Sequence, residues 1–138
     1  MLALAVKVLS PAPPWRWLVW SAFVVCWTVS LLMPVPVQPE ESGLKSREVL
    51  FYFSKTLHVG AYAFFTVLSG WLRVPARQRG WLLAFLFVHA AGTETLQALL
   101  PTGRTGRVPD VLLDSLGIVV GVALSWPWWR PAREPLAA

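Results

Sequence analysis

Apolar residues occur along this chain in four long runs, separated by short segments rich in proline and charge. The runs cover residues 17–33, 49–72, 81–100 and 111–129. About 20 helical residues are enough to cross the ~30 Å hydrocarbon layer of a bilayer. Prolines stand near the ends of the runs, where a helix has to stop or start. The pattern predicts an all-α integral membrane bundle of four transmembrane helices, forming a single domain over residues 1–138.

Composition supports a membrane protein and argues against a nucleic-acid-binding one. Hydrophobic residues make up 56% of the chain and charged residues only 14%, whereas a soluble domain has about 25% charged residues. The net charge of +5 comes from basic residues dispersed between the apolar runs, which is typical of membrane topology signals rather than of a phosphate-binding patch. We therefore expect membrane lipids as partners and no nucleic acid.

The charges of the connecting segments predict that both termini lie inside the cell. In that topology the inner segments contain seven basic residues: Lys7, Arg16, Arg73, Arg77, Arg79, Arg130 and Arg133. The outer loops contain four: Lys45, Arg47, Arg104 and Arg107. Because short inner segments have the excess of lysine and arginine, this count favours N-in and C-in. Most tryptophans also fall at the proposed inner ends, where indole rings prefer the headgroup layer.

Polar residues inside or next to the last three runs are predicted to meet near the outer ends of the helices. They are Lys55, His58 and Tyr62 on one face of the second helix, Glu94 and Gln97 on the third, and Arg107, Asp110 and Asp114 at the start of the fourth. A charge at the bilayer centre costs about 2.5–3.5 kcal/mol on insertion scales, so such residues usually face the bundle and find partners. Their shared depth is the strongest functional signal in the sequence.

The sequence leaves three interpretations of this polar cluster open. It is a buried network of ion pairs that holds three helices in register, or a binding or catalytic cleft, or a path for protons or ions. In a cleft, Lys55 and Arg107 would hold an anionic headgroup, while His58 would exchange a proton with Glu94 or Asp110. His89 is expected only to hydrogen-bond a neighbouring helix.

Glycines on the fourth helix predict close packing, and nothing in the sequence predicts a metal site. Gly117 and Gly121 continue the face of Asp110 and Asp114, and small residues let membrane helices approach closely. Cys26 is the only cysteine, and the two histidines do not have the spacing of a metal-binding motif. We expect no metal and no cofactor.

The polar residues resemble the VanZ-like family, named for an accessory protein of teicoplanin resistance. The resemblance rests on Lys55-x-x-His58-x-x-x-Tyr62, then Glu94-x-x-Gln97, then Arg107-x-x-Asp110-x-x-x-Asp114-x-x-Gly117-x-x-x-Gly121. It extends from about Ser54 to Gly121 and depends on spacing across three helices. The family usually has asparagine where this chain has Asp114, so the extra negative charge needs Lys55 or Arg107 nearby, or burial that keeps it neutral.

The resemblance implies a multi-pass protein of the bacterial plasma (inner) membrane that acts in the cell envelope and in antibiotic resistance. On that basis the polar cluster would bind an anionic lipid-linked ligand, a peptidoglycan-precursor-type ligand or a glycopeptide. The resemblance supplies no reaction, so we do not expect an enzyme. The alternative is a non-catalytic accessory or scaffold subunit of a larger membrane complex, with the cluster as a structural ion-pair network.

Overall fold

The chain folds into helices alone over the part that the structure describes. The computed structural model describes residues 12–34, 44–101 and 106–130, with only the backbone for 44–47. The helices are α1 Pro14–Leu32, α2 Leu44–Trp71, α3 Ala76–Leu99, α4 Val108–Leu124 and α5 Trp126–Trp129. No strand occurs within these ranges. The predicted all-α class is therefore confirmed.

The helices begin earlier than the apolar runs, and the fourth run is divided in two. Each of α1 to α4 starts three to five residues before its apolar run. The reason is that the first turn of each helix includes polar or charged residues, which precede the apolar part. The predicted helix over 111–129 ends instead at Leu124, and the short α5 follows Ser125. Pro127 explains the break, since a proline ring clashes with the carbonyl group four residues earlier and lacks the N–H of a helical hydrogen bond.

Among the described helices, α2 and α4 make the most extensive contact, and glycines of α4 make the close approach possible. A Cβ atom added at Gly117 would lie 2.5 Å from the Val59 carbonyl oxygen, and one added at Gly121 would lie 2.5 Å from the Ala63 carbonyl oxygen. Both contacts are shorter than real Cβ atoms make. The glycines therefore let the backbone of α4 rest directly on α2.

The remaining helices complete the bundle around this pair. Helix α3 buries one continuous face that includes Leu82, Leu86, Ala90, Thr93, Glu94 and Gln97. Within α1, all of which the structure describes, Leu31 is the single buried residue. Helix α1 packs partly buried Trp20, Phe23 and Val24 against the core. Polar contacts add to this attachment, one of which is the bond that the Trp20 Nε1–H donates to Ser69 Oγ over 2.8 Å.

The end of the bundle where α2 and α4 finish is held by Trp129 and Arg79. Trp129 packs with Leu72, Val74 and Leu82. Its indole N–H donates to Ser125 Oγ over 2.9 Å. Arg79 donates to the carbonyl oxygen of Val74, between α2 and α3. It also donates to those of Trp129 and Arg130, acceptors that the end of α5 leaves without a helical partner.

Many large apolar side chains are exposed on the outside of the bundle, whereas Glu94, Asp110 and Asp114 are buried within it. Leu18 is 71% exposed and Leu124 is 73% exposed, while Asp114 is completely buried. Helices α1 and α3 are long and apolar enough to cross a membrane, by length and composition. Helix α4 has 17 residues and is short for a full crossing, and α2 has Lys55 and His58 in its middle.

Candidate binding site

The polar face of α2 lies against the first two turns of α4. Lys55 and His58 are three residues apart on α2, and Asp110 and Asp114 are four residues apart on α4, so each pair points to one side of its helix. The contact of Gly117 with the Val59 carbonyl group, about one turn further along α4, sets how closely the two faces meet. As a result Lys55 and His58 each meet an aspartate of α4.

Lys55 and Asp110 form an ion pair nearest the start of α4. The Lys55 ammonium group bonds to Asp110 Oδ1 and also lies 5.2 Å from the centre of the Phe51 ring. The side chains are 22% and 10% exposed. The pair therefore stands between solvent-accessible surface and the buried interior.

Three further ionisable side chains come together below this pair, one from each of α2, α3 and α4. We call His58, Glu94 and Asp114 the His58 triad. His58 Nδ1 lies 2.8 Å from Asp114 Oδ1 and 4.0 Å from Glu94 Oε1. His58 is 8% exposed, Glu94 4% and Asp114 not at all. Among the described residues, these three could hold a metal ion, since one ligand atom from each lies within 4.8 Å of the others.

The segment before α4 fixes the position of Glu94. The backbone N–H of Arg107 donates to Glu94 Oε2 over 2.8 Å. Gly106 lies so close to α3 that a Cβ atom there would collide with the Glu94 carbonyl oxygen. A glycine before Arg107 thus allows the chain to reach the glutamate, and the N–H orients its carboxylate.

Two carboxylate oxygens of the His58 triad have no hydrogen-bond partner among the described residues. They are Glu94 Oε1 and Asp114 Oδ2, and each is buried. Burying such an acceptor without a partner costs free energy, more so for a charged group, and native structures contain few examples. The triad is therefore able to accept further hydrogen bonds or a cation.

A second polar cluster lies deeper along α2 and is built differently. We call Thr28, Tyr62, His89 and Thr93 the His89 cluster. Thr28 Oγ1 lies 2.8 Å from His89 Nε2, and Tyr62 Oη lies 2.9 Å from His89 Nδ1. Thr28 already donates its proton to the Val24 carbonyl oxygen, so it accepts from Nε2–H. Tyr62 then donates to Nδ1, an assignment that fits a neutral ring with both nitrogens bonded.

Most of the predicted polar residues meet in the structure, but two lie elsewhere. Tyr62 belongs to the His89 cluster, with Thr93 Oγ1 at 3.4 Å from its hydroxyl. Gln97 donates to the Leu31 carbonyl oxygen of α1 over 3.1 Å. Both share a helix face with triad residues, but each points to a different neighbouring helix.

The carboxylate that His58 contacts most closely is not one of the two expected from the sequence. Glu94 Oε1, one of the expected proton-exchange partners, lies 4.0 Å from His58 Nδ1, but the shortest contact is Asp114 Oδ1 at 2.8 Å. Asp114 was expected either to have Lys55 or Arg107 nearby or to be buried, and the structure buries it completely, with His58 as its hydrogen-bond partner. Thr28 and Thr93 were missed, because a threonine in an apolar helix is usually satisfied by its own backbone and gives no signal of a contact between helices.

The comparison with known proteins identifies the family. Residues 17–130 match the family model described as VanZ/LLP1, which covers all four long helices and most of the chain. No curated protein and no solved structure matches the chain. The resemblance in the spacing of Lys55, His58, Glu94 and Asp110 is therefore confirmed at the level of the family. The chain is a member of the VanZ/LLP1 family.

Proposed function

We propose that this VanZ-family protein is a multi-pass protein of the bacterial plasma membrane, with four spans and both termini inside. The support is the distribution of polarity, because exposed Leu18 and Leu124 contrast with buried Glu94 and Asp114. Such a surface suits lipid better than water. Helix α2 is long enough to span with its polar face turned towards α4, and α4 continues into α5 after one residue.

With this topology the His58 triad faces the outside of the cell. Helix α4 would enter the membrane from the outer surface, so Asp110 and Asp114 lie within its first turns on that side. Arg107 stands exposed at the entrance, and the Lys55–Asp110 pair lies between it and the triad. A ligand would approach from the outer leaflet and meet these groups in that order.

The function we propose is the binding of an anionic lipid-linked or peptidoglycan-precursor-type ligand, or of a glycopeptide, in this cluster. The observation that carries the proposal is the pair of buried, unpartnered oxygens on Glu94 and Asp114. A network that only held helices together would be stabilised by satisfying them. Arg107 and Lys55 supply positive charge for an anionic group, while the two carboxylates supply acceptors for hydroxyl or amide groups of the same ligand.

A purely structural role for the cluster is the competing interpretation. It is favoured by the Lys55–Asp110 and His58–Asp114 pairs, which already join α2 to α4. It leaves the two free oxygens of the triad without an explanation. The two interpretations differ in what happens when the site chemistry is removed while the helices still pack.

The test replaces each histidine by glutamine in cells that express the protein. We expect His58→Gln to keep normal abundance in the membrane and to remove any protection against teicoplanin. His89→Gln is the matched control, since it makes the same chemical change in a cluster outside the proposed site, and it should keep protection. Full protection by an abundant His58→Gln protein would contradict the proposal. Loss of protection only in parallel with loss of protein would favour the structural role.

Direct binding provides a second measurement on the purified protein. Polyprenyl phosphate is a suitable probe, because it joins an anionic headgroup to a lipid chain. We expect it to raise the thermal unfolding temperature of the wild-type protein in detergent and to have a smaller effect on Lys55→Gln. An equal effect on both proteins would place the headgroup elsewhere.

A further inference from the structure

The His58 triad has the composition and spacing of a metal centre, although nothing in the sequence spacing indicated one. It offers one imidazole nitrogen and two carboxylates, from three different helices. His58 Nδ1 lies 2.8 Å from Asp114 Oδ1 and 4.0 Å from Glu94 Oε1, and no two ligand atoms of the set are more than 4.8 Å apart. In a tetrahedral site with metal–ligand bonds of about 2.0–2.2 Å, neighbouring ligand atoms are ~3.3–3.6 Å apart. The observed distances lie on both sides of this range. Small side-chain movements would bring all three into coordination.

The buried carboxylate oxygens supply an independent observation that points to a ligand. Glu94 and Asp114 are more than nine-tenths buried, and Glu94 Oε1 and Asp114 Oδ2 lack hydrogen-bond partners among the described residues. Glu94 Oε1 is also the oxygen nearest to His58 within this carboxylate. A cation between the three side chains would satisfy an acceptor that the described residues leave unpartnered.

Charge balance is consistent with a divalent ion in the triad. Lys55 and Asp110 neutralise each other, which leaves two carboxylates and one imidazole in the triad. With both carboxylates ionised, a protonated histidine would still leave one negative charge in a low-dielectric interior, where an uncompensated charge is costly. A divalent cation with neutral His58 makes the triad electrically neutral.

A supporting hydrogen bond already orients one of the proposed ligands. The Arg107 N–H holds Glu94 Oε2 at 2.8 Å, which turns Oε1 towards His58. Outer hydrogen bonds of this kind are characteristic of metal sites, since they fix the direction of the ligand. The close approach at Gly106 makes this bond possible.

We infer that His58, Glu94 and Asp114 bind one divalent transition-metal ion, of the Zn²⁺ or Mn²⁺ class. A single nitrogen with two oxygens suits these ions better than a soft thiolate-seeking metal. Three protein ligands leave at least one coordination position open. If the proposed function also holds, that position is where an anionic oxygen of the ligand would bind, and this last step alone rests on the proposed function.

The experiment measures metal in the purified protein without reference to resistance. The full chain is produced in medium supplemented with Zn²⁺ and Mn²⁺, purified in detergent through a tag that contains no histidine, and analysed by elemental mass spectrometry. We expect close to one metal ion per chain in the wild-type protein. Removing the metal with a chelator should lower the thermal unfolding temperature, and adding back the metal alone should restore it.

Variants then assign the ligands. His58→Gln and Glu94→Gln should each weaken metal binding by more than about tenfold, because loss of a supporting hydrogen bond alone has an effect of that size. Glu94→Gln keeps an amide oxygen for the Arg107 N–H, so its fold has the best chance of surviving. His89→Gln is the control and should retain the metal. Equal metal content in His58→Gln and wild-type protein would overturn the assignment.

The outcomes for the metal and for the proposed function are separable. A wild-type protein that holds no metal and is not stabilised by Zn²⁺ or Mn²⁺ overturns the metal site, even if His58→Gln removes protection against teicoplanin. Metal bound through the triad supports the site, even if expression gives no protection. If a variant fails to fold, the chelation and add-back measurements on the wild-type protein still decide.

Discussion

The His58 triad and the His89 cluster are each built around a histidine and both use α2 and α3, yet their polar atoms are satisfied to different degrees. Both nitrogens of His89 have hydrogen-bond partners, at 2.8 Å and 2.9 Å, and both partners are uncharged hydroxyl groups. His58 instead lies between two carboxylates, each with one oxygen unpartnered among the described residues. The His89 cluster is therefore complete within the protein, whereas the triad lacks a donor or a cation.

This difference separates two uses of polar residues inside a helical bundle. A complete cluster such as that of His89 joins α1, α2 and α3 through hydrogen bonds and needs nothing further. An incomplete one is destabilising by itself, and is explained when a ligand completes it. The comparison predicts that changes at the His89 cluster affect only stability, while changes at the triad affect both stability and binding.

The largest effect should come from separating α2 and α4, whose contact brings His58 and Asp114 of the triad together. Gly117→Leu would drive a side chain into the Val59 carbonyl oxygen and the Tyr62 Cβ atom. We expect a loss of about 3 kcal/mol or more, measured as folded yield in detergent and as the thermal unfolding temperature. Gly92→Leu is the control, because an added Cβ meets nothing within 4 Å there. Equal losses in the two proteins would contradict the close packing of α2 on α4.

The next effect concerns the ion pair above the triad. Lys55→Met or Asp110→Leu leaves one charge without its partner, and we expect each to destabilise by about 2–3 kcal/mol, less than for a fully buried pair because Lys55 is partly exposed. The double variant should be more stable than either single one, since no charge remains unpaired. Denaturant titration of all four proteins measures the difference. Equal losses from the single and double changes would show that the two residues are not coupled.

A smaller effect is expected within the His89 cluster. Tyr62→Phe removes the hydroxyl group that contacts His89 Nδ1 and leaves that nitrogen unpaired, so we expect a loss of about 1–2 kcal/mol. Metal content and teicoplanin protection should stay unchanged. Tyr52→Phe is the control, because Tyr52 is 68% exposed, and should leave stability unchanged. A loss of metal in Tyr62→Phe would break the distinction between the two clusters.

The smallest effect concerns the attachment of α1. Gln97→Leu leaves the Leu31 carbonyl oxygen without its side-chain donor, and we expect a loss of about 1 kcal/mol. Hydrogen exchange should become faster in the last turn of α1 but not in α4. Gln78→Leu makes the same change at an exposed position of α3 and serves as the control. Similar exchange in both variants would show that Gln97 does not secure α1.

Much of the fold was determined by the sequence alone. Apolar runs of about 20 residues predicted the helical class, because a long uninterrupted run is most stable as a helix with its own hydrogen bonds. Spacings of three and four residues correctly put Lys55 with His58, and Asp114 with Gly117, on common helix faces. Those same spacings led to the family that residues 17–130 match. The break before α5 was missed, although Pro127 is a local signal for it.

Only the tertiary structure decided which polar groups meet. Periodicity fixes directions within one helix, but the depth and rotation of one helix against another depend on packing. Here the contact of Gly117 and Gly121 with α2 sets the depth and rotation of α4 against α2. As a result His58 lies against Asp114 and Lys55 against Asp110. Tyr62 turns to His89 for the same reason. The sequence determined that charges would gather at one level of the bundle, and helix packing decided that three of them form a triad with unpartnered oxygens.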